Sequence, residues 1–170
     1  MKISGIIIIA AFVLISNLSA QNVDKRSRKK LKLEKKEARE KEVVKIIHDK
    51  NFIFSARHAN PLSGSSRSLI SDYDLVIKND SAFAYLPYFG VAYHAEYMGT
   101  DGGIKFKESL REYQMNTKKE MYTIEFSIDS PKDHYICILS ISKSGYATLD
   151  ISSNKRQAIN FNGIIESPER

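Results

Sequence analysis

The side chains that could perform covalent or metal chemistry are few and far apart in this sequence. The single cysteine, Cys137, lies between Ile136 and Ile138, where a small buried hydrophobic residue is more typical than a nucleophile. The histidines occupy separate segments, without the short spacings of a zinc site: His48, His58, His94 and His134. The sequence therefore indicates neither a cysteine nucleophile nor a bound metal.

Two further groups of ionisable residues are weak candidates. His94 and Glu96 form the nearest acid–base pair, but a lone alternating pair is a poor signal of catalysis. Asp72 and Asp74 share a strand face, with Asp80 nearby, yet the glycine turn and later glutamate of a calcium loop are missing. A solvent-facing strand edge explains the aspartates more simply.

The phosphate and serine motifs are also incomplete. The glycines of 99–103 lack the Lys-Ser/Thr pair of a phosphate-binding loop, and the serines of 63–66 do not form a nucleophile elbow. We expect a non-catalytic protein without a cofactor.

Tyrosines are concentrated in one segment. Four of the nine lie within thirteen residues, beside a proline and several glycines: Tyr85, Tyr88, Tyr93 and Tyr97. Such rings on a loop can form a hydrophobic or sugar-stacking surface with hydroxyl groups at its edge. They can equally form the core of a kinked corner in which the glycines supply unusual backbone angles.

The elements that position these residues differ sharply in charge. The 170 residues carry a net charge of +6, but residues 21–50 hold twelve Lys/Arg against six Asp/Glu, whereas residues 51–170 hold thirteen against fourteen. The basic character is thus local. The composition, with 42% hydrophobic residues and one cysteine, excludes collagen, a disulfide-stapled miniprotein and a wholly disordered chain.

The basic segment predicts a helical arm. It has no Gly or Pro from Val23 to about Lys50 and is rich in strong helix formers. Val43, Val44, Ile46 and Ile47 form one apolar face, so we expect the last two turns to dock and the first half to project.

The arm at 21–50 could meet an acidic envelope component, such as lipid head groups, a polyanionic polymer or an acidic protein. A merely solvated charged helix is the alternative. The arm has no aromatic residue for base stacking and nine lysines against three arginines, which argues against specific nucleic-acid binding.

Residues 1–20 have the three parts of a signal peptide. Lys2 precedes an apolar run from Gly5 to Ile15, which is too short to span a membrane, and Leu18-Ser19-Ala20 forms a small-residue end. The basic residues after residue 24 argue against translocation if the segment stays uncleaved. We expect cleavage, no transmembrane span afterwards, and an exported protein, periplasmic or secreted.

From residue 51 to 165 the hydrophobic period becomes two. Turn signals recur about every ten residues, and 122–128 shows the clearest alternation. This pattern predicts a mainly β (α+β) fold, an antiparallel meander that forms a curved sheet, sandwich or open barrel with one N-terminal charged helix. Residues 135–141 are apolar on both faces, which predicts a central strand covered on both sides. We expect a loose tail at 166–170.

Several blocks together resemble the domain-of-unknown-function family 4251, small exported proteins of Bacteroidetes-type bacteria. They are the basic helix, Phe52-x-Phe54, the run from Tyr85 to Tyr93, Gly102–Phe106, and the run from Ser152 to Gly163. The resemblance implies an envelope or secreted location and a mostly β domain, and it implies no activity. It adds a polar cluster after a strand, either a binding surface or a hydrogen-bonded turn: Asn154, Arg156 and Gln157.

The sequence thus favours an exported, non-catalytic β domain that binds or scaffolds an envelope component. A carrier that encloses a small apolar ligand in a curved sheet is the alternative, and an enzyme is the weakest interpretation.

Overall fold

The computed structural model describes residues 27–93, 102–131 and 133–168. The chain divides into two compact units, residues 1–38 and 39–170. The predicted signal peptide and the start of the predicted arm lie outside the described residues.

Helix α1 covers residues 27–48. In the first unit, its residues 27–38 are all exposed and carry six Lys/Arg against two Glu. In the second unit, the final turns bury Val43, Ile46 and Ile47 in the core, which confirms the predicted docking face. Within the described ranges, no helix combines the length and apolarity needed to cross a membrane.

Ten strands follow: β1 (Asn51–Pro61), β2 (Arg67–Ser68), β3 (Asp74–Lys78), β4 (Ser81–Leu86), β5 (Ile104–Ser109), β6 (Arg111–Lys118), β7 (Met121–Asp129), β8 (His134–Ser142), β9 (Tyr146–Ser153) and β10 (Ile159–Glu166).

The strands form one sheet in the order β5-β4-β3-β1-β10-β9-β8-β7-β6, with the short β2 paired to β1. All the pairs are antiparallel. Leu110 alone separates β5 from β6, so the chain passes there from one edge of the sheet to the other. A register shift between Arg111 and Gln114, with Glu112 at a φ of 52°, bends β6 beside β7. The result is a nearly closed barrel, which confirms the predicted antiparallel meander.

The period-two pattern places alternate side chains inside the barrel. In β4, Ala82, Ala84 and Leu86 are buried, whereas Phe83 and Tyr85 point outward. Where β1 and β10 pair, the chains approach so closely that a Cβ at Gly163 would collide with the carbonyl oxygen of Ser55. Only glycine fits this position of the sheet.

The buried side chains form one contiguous core that includes large aromatic residues of several strands: Phe52, Phe54, Phe106, Phe126, Tyr135 and Phe161. The ring centroids of Phe106 and Tyr135 lie 5.4 Å apart. Small barrels are either filled by side chains or hold one small ligand. The packing among the described residues gives the carrier alternative no support.

The prediction for residues 135–141 is wrong in one respect. Tyr135, Cys137, Leu139 and Ile141 face the core, but the outward Ile136 and Ile138 are 49% and 36% exposed. Their cross-strand neighbours are mainly polar, and no second layer covers them among the described residues. An apolar residue on the outer face of a barrel needs no covering layer if its neighbours are hydrophilic.

Candidate functional site

Two segments that the sequence singled out separately meet at one end of the barrel. The ends of β4 and β9 lie at the same end, because an even number of antiparallel pairs separates these strands. The chain after β4 then pairs with the chain after β9 through an isolated bridge between Ala92 and Arg156. The amide of Tyr93 donates to the carbonyl of Lys155 at 2.8 Å, and that of Gln157 donates to the carbonyl of Val91 at 3.0 Å. We call this paired region, residues 87–93 and 153–157, the corner.

Tyr88 holds the corner together. Its hydroxyl lies 3.0 Å from the carbonyl oxygens of both Val91 and Gln157, and its single proton is shared between these two acceptors. Burial raises the pKa of the Tyr88 hydroxyl, and the nearby Arg156 lowers it by less, so the group stays protonated at neutral pH. A Cβ at Gly90 would collide with the Tyr88 hydroxyl, which explains the glycine there.

Arg156 links the corner to the start of β5. Its guanidinium donates to the carbonyls of Gly102 at 2.7 Å and Gly103 at 3.1 Å. The guanidinium carbon also lies 5.3 Å from the centre of the Tyr88 ring. Within the polar cluster predicted from the sequence, Arg156 therefore makes structural contacts.

The other members of that cluster differ in their surroundings. The Gln157 side-chain oxygen accepts a hydrogen bond from the hydroxyl of Ser63 at 3.3 Å, whereas Asn154 is exposed at the tip of the turn.

Two of the predicted tyrosines remain on the surface. Tyr85 is 48% exposed on the outer face of β4, and Tyr93 is 61% exposed in the corner, close to the exposed Val91. Tyr97 lies outside the described residues, as do His94 and Glu96. The structure thus brings Tyr88 and Tyr93 to the polar cluster, and the half-buried Tyr88 uses its hydroxyl within the corner itself.

The structure adds residues that the sequence analysis did not single out. The rings of Tyr73 and Tyr85 stack with centroids 5.6 Å apart. The Nζ atom of Lys105 lies 4.5 Å from the centre of the Tyr85 ring. An open depression of about 190 Å³ separates this group from Tyr88 and Gly103. Strict alternation in β4 and β5 could have shown that these side chains point outward together.

The predicted carboxylates do not converge. Asp72 and Asp74 border a groove of about 340 Å³ beside β1, together with Glu166. Burial, and then the charge of Asp72, raise the pKa of Asp74 above its usual range. Asp80 lies instead in the β3–β4 turn, where its carboxylate is 3.3 Å from the ammonium of Lys50.

A histidine–carboxylate pair was missed because its members are five residues apart on facing strands. The Nδ1 atom of His134 lies 2.5 Å from a carboxylate oxygen of Asp129, and Arg111 lies 3.0 Å from the other oxygen. The hydrogen bond from His134 holds the pKa of Asp129 below its usual range. The Cys137 thiol is a poor nucleophile, because burial raises its pKa.

Metal binding finds no ready site in the part of the chain that the structure describes. No three His, Cys, Asp or Glu side chains come together there in a way that could hold an ion.

Together these observations define a small antiparallel barrel domain with the end of a basic helix in its core and an aromatic, basic surface beside a hydrogen-bonded corner. A family profile described as "Domain of unknown function (DUF4251)" matches residues 34–165, and the chain belongs to this family. The resemblance seen in the sequence is confirmed.

One solved structure supports the fold. The chain is similar to a DUF4251 family protein from Bacteroides eggerthii DSM 20697, with 16% identity and a TM-score of 0.61, over 76% of this chain and 88% of that one. This likeness concerns the fold alone. No curated protein matches the chain.

Proposed function

We propose that this protein is an exported, non-catalytic binding domain that contacts a component of the cell envelope through the corner. The observation that carries the proposal is the hydrogen-bonded pairing of residues 91–93 with 155–157, which holds Val91 and Tyr93 exposed on a fixed backbone.

A fixed backbone favours binding because less conformational freedom is lost when a partner docks. The corner is fixed by backbone hydrogen bonds, by the Tyr88 hydroxyl and by the Arg156 guanidinium. Tyrosine suits an interface, since its large ring has few rotatable bonds and a hydroxyl that can bond a partner. The exposed Tyr93 is therefore a natural anchor residue.

Export and the absence of catalysis complete the proposal. The three-part pattern of residues 1–20 supports export. The buried Cys137 thiol, with its raised pKa, is a poor nucleophile. The exposed, basic residues 27–38 can supply long-range attraction to an acidic envelope surface, which complements contact at the corner.

Site-specific photo-crosslinking in the natural host tests the proposal. A photoreactive phenylalanine analogue replaces Tyr93 in the full-length chain, and a matched control places it at Tyr146, which is 70% exposed at the opposite end of the barrel. We expect a discrete crosslinked species from position 93 in the envelope fraction and none from position 146. Equal crosslinking from the two positions, or none from position 93, would contradict the proposal.

A further inference from the structure

Four cationic side chains near the corner each lie against an aromatic ring. Besides Lys105 on Tyr85, the Nζ atom of Lys107 lies 5.4 Å from the Phe83 ring centre. Arg156 lies against Tyr88, and the guanidinium carbon of Arg67 is 4.7 Å from the centre of the Phe89 ring. We call the four cations, Lys107, Lys105, Arg156 and Arg67, the cationic strip.

The strip follows a line along the barrel surface. Lys105 and Lys107 are alternate residues of β5 and share its outer face, about 7 Å apart along the strand. Arg156 comes next, since its guanidinium bonds the carbonyls of Gly102 and Gly103 just before β5. Phe89, which carries Arg67, directly follows Tyr88 in the chain. The strip therefore runs from the middle of β5 to the corner.

Several basic residues of the β domain lie on this strip. Residues 51–170 contain thirteen Lys/Arg and fourteen Asp/Glu, and four of the thirteen cations belong to the strip. Aromatic rings attract the cations above them and restrict their motion, so an anionic ligand meets groups that are already positioned.

The depression beside Tyr85 and Tyr88 is too small to hold a whole small-molecule ligand. The space between Tyr85, Tyr88 and Lys105 measures about 190 Å³, below the range of about 300–1,000 Å³ that holds whole small-molecule ligands. It can admit one unit of a chain, while the other units follow the strip. A linear polymer fits this arrangement better than a compact ligand does.

The aromatic rings of the strip favour an acidic polysaccharide over a single-stranded nucleic acid. Single-stranded nucleic acids bind through bases that stack on open aromatic faces. On the strip, cations lie over the rings of Tyr85 and Tyr88, and Tyr73 stacks on Tyr85. A ligand on the strip therefore meets positive charge and tyrosine hydroxyl groups. Carboxylate and hydroxyl groups along a polysaccharide match both.

We propose that the cationic strip binds a linear acidic polysaccharide, with its carboxylates along Lys107, Lys105, Arg156 and Arg67 and one sugar unit in the depression beside Tyr88. This proposal rests on the proposed binding function and names the chemistry of its partner.

Binding of the full mature chain to polygalacturonate tests the proposal, with neutral dextran as the uncharged control. Lys105→Gln with Lys107→Gln removes two strip charges. Lys118→Gln with Lys119→Gln removes two charges at the β6–β7 turn, on the opposite end of the barrel. The basic arm is identical in both variants.

We expect the strip variant to bind polygalacturonate about tenfold more weakly, with a shallower salt dependence, and the turn variant to bind nearly as the unchanged chain does. Lysine labelling followed by mass spectrometry should show protection of Lys105 and Lys107 by the polymer but none at Lys118 and Lys119. Equal weakening of both variants, or equal labelling at all four lysines, overturns the proposal.

Two further probes distinguish other partners. The first probe is single-stranded poly-dT and the second is phosphatidylglycerol vesicles. If either binds more tightly than polygalacturonate and depends on the same two lysines, a nucleic acid or an anionic lipid surface is the partner and the polysaccharide is not. If crosslinking from position 93 persists in the strip variant although polygalacturonate does not bind, the proposed binding function of the corner stands and the acidic polysaccharide is excluded as its partner.

Discussion

Removal of the Tyr88 hydroxyl tests whether this group stabilises the corner. Tyr88→Phe removes the group that donates to the carbonyls of Val91 and Gln157 and leaves the ring in place. The Val91 carbonyl keeps the amide of Gln157 as a donor, so the loss amounts to roughly one hydrogen bond. Its net value is about 1 kcal/mol, which corresponds to a decrease of about 3–5 °C in melting temperature for a domain of this size.

Gly90→Ala probes the position of the same hydroxyl. In Gly90→Ala, the new methyl group meets the Tyr88 hydroxyl, and overpacking of this kind costs about 1–3 kcal/mol. In the Tyr88→Phe background the hydroxyl is gone and only the ring carbons Cζ, at 2.7 Å, and Cε1, at 3.3 Å, crowd the methyl group, so the same substitution should cost less. The two changes should therefore be non-additive, with the double variant more stable than the sum of the single losses indicates.

Thermal and urea unfolding of the full chain measure both effects. Tyr93→Phe is the matched control, since Tyr93 is exposed and its described corner contact is made by the backbone amide. If Tyr88→Phe and Tyr93→Phe leave the free energy of unfolding equally unchanged, the Tyr88 hydroxyl does not hold the corner. Strict additivity of Tyr88→Phe and Gly90→Ala would refute the proposed contact between them.

Three further predictions concern the barrel. Phe161→Ala should lower the free energy of unfolding by about 3–5 kcal/mol in urea titrations, because Phe161 is fully buried, whereas Ile136→Ala on the outer face should cost under about 1 kcal/mol; similar losses would contradict the assigned faces. The hydrogen bond from His134 lowers the pKa of Asp129 in the folded protein. The Asp129 carboxylate therefore stabilises the fold at pH values above its unfolded-state pKa of about 3.9, and this stabilisation is lost as the pH falls through the lower folded-state pKa. Unfolding measured from pH 6 to pH 2 should show a smaller acid-induced decline for Asp129→Asn than for the unchanged chain, and identical profiles would exclude the pair. Because burial raises the pKa of the Cys137 thiol, iodoacetamide at pH 8 should label it only as fast as the chain unfolds, and rapid labelling of the native protein would place the thiol at the surface.

The barrel could be predicted from the sequence because its strands obey a simple period. Ile124, Phe126 and Ile128 alternate with polar or small residues and are buried, as expected from that pattern. The docking turns of the helix were equally visible, since Val43, Ile46 and Ile47 share one helical face. Local periodicity is the strongest signal that a single sequence carries.

The alternation rule also explains the error at β8. Ile136 and Ile138 are apolar, so they suggested a covering layer, but exposed apolar side chains are common on folded proteins. Their polar cross-strand partners Ser127 and Asp150 are known only once the register is known.

The candidate site could be predicted only in its parts. The tyrosine segment and the polar cluster near Arg156 stood out by composition, but about 65 residues separate Ala92 from Arg156 in the chain. Their pairing depends on the strand order, which places the ends of β4 and β9 at one end of the barrel. No local pattern encodes that order, and the same holds for the contact between Arg156 and Gly102.

Two distant segments form one rigid corner, and we propose that this corner presents the binding surface. Amide hydrogen exchange at Tyr93 and Gln157, measured by NMR on the full chain, tests this pairing, because these amides donate the two backbone hydrogen bonds that join the segments. We expect exchange at both amides to be slowed well below the rate of an unstructured peptide, and to be slower still with polygalacturonate bound. Exchange at the unstructured rate in the free protein would show that the two segments do not pair and that the corner is not formed.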